Sequence, residues 1–147
     1  MVPQRIEREI LIEAPVDVVW EVVTDPEHIS GWFSDSVELD LTPGGKVLLQ
    51  WDGRGGVPGR VERVERPHFF SFRWAVGPSV PGEEHWTLVE FRLSAEGDST
   101  RLTVVESGFR DIAGSEDEKQ DYFDSHSRGW GREMGDLVAY VIQQGGR

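Results

Sequence analysis

The last third of the chain carries an apolar stripe that any fold has to cover. On a helical wheel at about 100° per residue, Phe123, Trp130, Met134, Leu137 and Val141 fall within about 60° of one another. Val138 and Ile142 widen the stripe. Upstream, Ser115 and Glu118 have the spacing of a capping box, and Glu116, Asp117 and Glu118 suit the positive end of a helix dipole. A long helix with one apolar face needs a partner surface, and the segments before it are what this sequence offers.

Most of those segments read as strands. Arg5–Ile12 alternates, with Ile6, Arg8, Ile10 and Ile12 set against Glu7, Glu9 and Leu11. Ala14-Pro15 opens a first helix with the stripe Val16, Val19, Trp20, Val23. Asp25 as N-cap and Pro26 at the first position start a second, short helix running toward Trp32-Phe33. Strand patterns follow at Val37–Leu41, Lys46–Trp51, Val57–Glu65, His68–Trp74, His85–Leu93 and Thr100–Glu106. The Gly/Pro-rich stretch Val76–Glu84 is long for a hairpin and reads either as a lid or as a stiffened connection.

This order predicts an α+β fold in one domain spanning residues 1–147. A curved antiparallel sheet of about six to seven strands wraps around the C-terminal helix, and the two short helices after strand one close one end. One helix does not fill a wide concave sheet, so a hollow between them is expected. Gly129, Gly131 and Gly135 each cost about 1 kcal/mol relative to Ala within a helix. They are expected where a backbone or ligand comes close, or where packing simply tolerates them.

Charge narrows the function. Fifteen basic and 27 acidic residues leave a net −12, with the excess at both ends and a neutral middle third. Such a chain repels phosphate backbones and anionic lipid, so neither nucleic acid nor a membrane is expected as a partner. The N-terminus is charged where a signal peptide is apolar, which points to the cytoplasm. With no cysteine there is no disulfide, thiolate nucleophile or zinc-thiolate site. His28, His68, His85 and His126 lack metal-ligand spacing, so no metal and no cofactor is expected. Ser34, Ser36 and Ser107 have no nucleophile-elbow context.

Strand parity supplies a candidate ligand-binding set. Trp51, Phe70, Phe72, Trp74, Val89, Phe91 and Val104 share one sheet face, with Trp130, Met134 and Leu137 opposite them on the helix. An apolar lining of this kind suits a small-molecule site, and equally a filled core. Arg63 shares the inward parity but sits near a strand end, where its head snorkels outward. Pairing Leu93 with Thr100, Val89 with Val104 and Trp74 with His85 places Thr87 opposite both Phe72 and Glu106. Glu106 and His85 then become diagonal neighbours, and His126 lies about 40° from Trp130 on the same helix face. Glu106, His85 and His126 are thus candidate catalytic residues, since a carboxylate beside imidazoles can do acid–base work; a hydrogen-bonded structural cluster is the alternative.

Several short motifs occur in one order: Ala14-Pro15 with Val19-Trp20, Thr24-Asp25-Pro26, Trp32-Phe33, Gly44-Gly45, Pro67, Phe72 and Trp74, Gly97 with Thr100, Leu102 and Val104, Gly108-Phe109, and His126 with Gly129-Trp130. This set resembles the SRPBCC (START-like, helix-grip) superfamily and, within it, the family named after the activator of heat-shock protein 90 ATPase. The resemblance spans essentially the whole chain and implies a hydrophobic pocket between sheet and long helix, with no conserved catalytic residue. It implies binding of a hydrophobic or aromatic small molecule. A cyclase/aromatase- or hydrolase-type enzyme using the Glu/His cluster is the alternative. Co-chaperone action on a heat-shock protein 90 homologue rests on the family's name alone.

Overall fold

The computed structural model describes residues 2–52, 55–75, 86–112 and 114–145. The Val76–Glu84 stretch, read either as a lid or as a stiffened connection, and His85 lie outside these residues. Strand β1 (Arg5–Ile12) is followed by helices α1 (Val16–Thr24) and α2 (Pro26–Trp32), then by β2 (Ser36–Leu39), β3 (Lys46–Trp51), β4 (Gly55–Glu65), β5 (Phe69–Ala75), β6 (Trp86–Glu96) and β7 (Ser99–Ser107). Helix α3 (Glu116–Gly145) completes the fold, and its 30 residues span about 45 Å. The seven strands form one antiparallel sheet in the order β1-β7-β6-β5-β4-β3-β2. The sheet curves about α3, giving an α+β fold of the helix-grip type.

Local chemistry accounts for the element ends. The Asp25 side chain accepts from the Glu27 N–H at 2.9 Å, and Pro26 follows it, so α2 starts where a cap and a preset φ coincide. At α3 both halves of the capping box form: Ser115 Oγ accepts from the Glu118 N–H at 3.2 Å, and Glu118 Oε1 accepts from the Ser115 N–H at 3.1 Å. Between the sheet and α3 lies a core that includes Val47, Leu49, Phe70, Phe91, Leu102, Met134, Leu137 and Val141. Burying these apolar faces from water is the main force holding helix and sheet together.

Four expectations need correction. The β6–β7 ladder runs on to Glu96 opposite Ser99, across a two-residue turn with Gly97 at φ 63°. A glycine with positive φ at the first turn position is what a tight type II′ hairpin requires. Leu93 therefore pairs with Leu102 rather than Thr100, and Glu106 with Val89 rather than Thr87. The β5–β6 register also moves by two: Trp74 pairs with Thr87 rather than His85, and Phe72 with Val89. Parity is blind to a two-residue slip, because each side chain keeps its face. Specific cross-strand pairs choose between the alternatives, here Phe70 stacked on Phe91 at 6.1 Å and Trp74 hydrogen-bonded to Thr87.

Arg63 does point outward, but not by snorkelling. A β-bulge between Val61 and Arg63 reverses the parity of β4, so Arg63 lies opposite Ser71 on the outer face. Its guanidinium sits 4.9 Å from the Phe69 ring centroid, and Arg92 packs on the same ring at 5.0 Å. Ile142 is 66% exposed and does not extend the apolar stripe. Among the described residues no contact requires glycine at positions 129, 131 or 135, because a Cβ there would meet none of them within 4 Å.

Candidate functional site

Glu106, near the end of β7, is completely buried. The tertiary fold surrounds its carboxylate with donors from three elements. From α3, His126 Nδ1 donates at 2.8 and 2.9 Å to the two oxygens, and Trp130 Nε1 donates to Oε1 at 2.8 Å. From β5, Trp74 Nε1 donates to Oε2 at 2.9 Å, and from β6 the Thr87 hydroxyl donates to the same oxygen at 2.6 Å. Trp74 Nε1 also lies 2.9 Å from Thr87 Oγ1. Burial alone pushes this carboxyl up. The hydrogen bond and charge of His126, helped by Thr87 and Trp74, outweigh that and hold it below the usual carboxylate range.

With its lone pairs taken up and its proton affinity lowered, Glu106 is poorly suited to carry a proton during a reaction. Its geometry suits positioning instead. One carboxylate clamps two indoles and an imidazole, fixing each ring's rotation through the edge that carries the N–H.

Those three rings line a cavity of about 220 Å³. Trp51, Val57, Trp74 and Ala75 contribute the sheet wall, and Phe33 closes it from the end of α2. The third wall is one edge of α3: Ser125, His126, Gly129, Trp130, Arg132 and Glu133. Ser125 and Gly129 lie one turn apart and carry almost no bulk, which leaves that edge of the helix hollow. A 150 Å³ apolar cavity is enough for benzene, so this one suits a substituted aromatic ring or a small bicyclic molecule.

Phe33 shapes the cavity more than its position after a short helix suggests. Its ring stacks against Trp130 at 5.5 Å and Trp74 at 6.0 Å, and its carbonyl accepts from Trp51 Nε1 at 2.9 Å. The end of α2 thereby holds three tryptophans in one aromatic cluster.

The ten residues expected to bind a ligand divide into three groups. Trp51, Trp74 and Trp130 line the larger cavity, whereas Phe70, Phe72 and Phe91 line a second cleft of only about 20 Å³. Val89, Val104, Met134 and Leu137 are buried in the core and line neither. Of the candidate catalytic residues, His126 reaches both Glu106 and the cavity, while Glu106 lies outside the cavity lining. The slipped register puts Thr87 diagonal to Glu106, the place expected for His85.

Glu133, Arg132, Ser125 and Phe33 were not identified from the sequence. Glu133 was open to detection, because it follows His126 by two helical turns and so shares its edge of α3. Its side chain is 13% exposed, and Oε2 is buried with no hydrogen-bond partner among the described residues. Burial, reinforced by Asp136 and opposed by Arg132, pushes this carboxyl up to about 7. Among the described residues no group of three or more His, Cys, Asp or Glu side chains could hold a metal ion, and no helix is long and apolar enough to cross a membrane.

A curved seven-stranded sheet gripping one long helix, with an aromatic-walled cavity at their junction, defines a helix-grip domain of the SRPBCC type. The chain belongs to the Activator of Hsp90 ATPase homolog 1-like protein family, whose model matches residues 13–141. A Mesorhizobium loti protein has a similar structure, with TM-score 0.80 and 21% identity over 95% of this chain and 98% of that one. CalU16 from Micromonospora echinospora matches at TM-score 0.72 and 30% identity, covering 93% of this chain and 75% of that one. Among curated proteins, the bifunctional enzyme NanE/NanK of Brucella melitensis biotype 1 is 34% identical over 108 residues, 72% of this chain and 20% of that protein. The chain thus spans about a fifth of the length of the curated relatives it matches.

Proposed function

We propose that this chain is a cytoplasmic binding domain that holds an apolar, aromatic-sized small molecule between sheet and helix. The observation that carries the reading is the cavity of about 220 Å³, with three tryptophans in its wall, two of them locked by hydrogen bonds to buried Glu106. Rings held in fixed rotamers present a preformed surface, so a ligand meets little ordering cost on entry. The fold supports this, since its members bind hydrophobic ligands or act as polyketide cyclases. An enzyme using Glu106 as acid or base is disfavoured by that residue's four donors and its place behind the aromatic wall. Co-chaperone action has only the family name to support it.

Intrinsic fluorescence tests the proposal, because Trp51, Trp74 and Trp130 all line the cavity. Titration with neutral aromatics such as 2-phenylethanol and 1-naphthol is expected to give a saturable change. Gly129→Leu, which puts a side chain into the open space at the cavity edge, is expected to weaken it at least about tenfold while far-UV circular dichroism is unchanged. A signal that never saturates, or one that a folded Gly129→Leu protein retains in full, sinks the reading.

A further inference from the structure

We propose that Glu133 is the polar anchor of this cavity and that the bound molecule is an aromatic amine, its cationic nitrogen paired with the Glu133 carboxylate and its ring against the tryptophans. The inference rests on the binding function proposed above and adds the ligand's charge and the residue that reads it. Four observations support it.

Buried polar atoms in folded proteins are almost always hydrogen-bonded, and an exception inside a cavity marks a place where something else supplies the partner. Glu133 Oε2 is such an exception, and its residue lines the cavity.

Among the described residues, no cation across the cavity serves it. The sheet and the end of α2 contribute only Phe33, Trp51, Val57, Trp74 and Ala75 among the described lining residues, and none of these titrates. Among the described residues, the charged and titratable groups near Glu133 therefore lie on its own helix: His126, Arg132 and Asp136. His126 is engaged with Glu106. Arg132 Nε comes only to 3.8 Å of the other carboxyl oxygen, and its side chain is 63% exposed.

The surrounding field favours a cation. Asp136 adds negative potential at Glu133 and helps to raise it to about 7, and the chain as a whole carries −12. A cationic ligand relieves this repulsion, whereas an anionic one meets it.

The opposite wall suits the same ligand. Indole faces attract cations more strongly than phenyl rings do, and Trp51, Trp74 and Trp130 are all present. A cavity of this volume accepts one aromatic ring with a short aminoalkyl arm.

Calorimetric titration with three matched probes tests this: 2-phenylethylamine, neutral 2-phenylethanol and anionic phenylacetate. The amine is expected to bind at least about tenfold more tightly than the alcohol near pH 8, and phenylacetate more weakly than both. As the pH falls from about 8 to about 6, Glu133 passes from mostly ionised to mostly protonated, so amine affinity is expected to drop about tenfold while alcohol affinity stays level. Glu133→Gln keeps the shape of the side chain. It is expected to bring the amine down to the level of the alcohol and abolish the pH dependence, with an unchanged far-UV circular dichroism spectrum reporting that the variant is folded. If amine and alcohol bind equally, or Glu133→Gln retains the amine preference, the inference falls and the binding function stands. If phenylacetate is preferred, Arg132 is the anchor and the inference is overturned. If none of the three binds, both readings fall together.

Discussion

Glu106 shows how much one side chain can organise. A carboxylate removed from water is costly, and this one is retained because four donors from three elements converge on it. Glu106→Ala would leave the Trp130 indole, the His126 imidazole and the Thr87 hydroxyl without the acceptor they share, lowering stability by at least about 3 kcal/mol in urea denaturation. Glu106 and the half-buried Glu133 also give opposite pH dependences. Glu106 lies below its usual range in the fold, so its stabilisation is present above about pH 4.3, its unfolded value, and is lost as pH falls through the folded one. Glu133 is raised to about 7, so its contribution is complete below its unfolded value and is lost as pH rises through about 7. Glu133→Gln is accordingly expected to raise the urea midpoint near pH 8 and leave it unchanged near pH 4. An equal shift at both pH values would contradict the environment assigned to this carboxyl.

At the scale of elements, α3 carries both the grip and the cavity. One face is closed by Trp130, Met134, Leu137 and Val141, while the adjoining edge is thinned by Ser125 and Gly129. Gly131 and Gly135 are exposed, and a Cβ there would meet none of the described residues within 4 Å, so their helix-propensity cost has no packing gain to offset it. Gly131→Ala and Gly135→Ala are therefore expected to stabilise the protein by up to about 1 kcal/mol each, with ligand binding unchanged. Ser115→Ala removes one half of the capping box and is expected to cost about 1 kcal/mol. Thermal and urea unfolding of the three variants would show whether propensity and capping act on α3 independently of the core. The end of α2 has a different task. Through Phe33 it supports Trp51, Trp74 and Trp130 together, so a short helix sets the cavity's aromatic wall.

For the whole molecule, strand order ranks local stability. β2 has four residues and a single ladder partner at the sheet edge, whereas β6 and β7 pair on both sides. Amides of β2 are expected to exchange with solvent well before those of central β6, measured by hydrogen exchange; uniform protection across the sheet would contradict this ranking. Much of this architecture was legible in the sequence, since period-two and period-3.6 patterns report directly which faces are apolar. The bounds of β1 and β3, the Asp25 cap, the Ser115–Glu118 box and the α3 stripe through Val141 all follow from local chemistry, which acts within a few residues. The candidate site was legible only in part. Glu106, His126 and the tryptophans stood out by type and parity, but the two-residue slip in register hid the role of Thr87. Spacing puts Glu133 on the His126 edge of α3 but does not show what surrounds its carboxyl. By itself the sequence determined the elements, their inward faces and the fold class, because those depend on hydrophobic period. Only the tertiary structure decided which strand residues meet, where Phe33 inserts, and which carboxylate is satisfied and which is left alone, because these depend on distances between segments far apart in the chain.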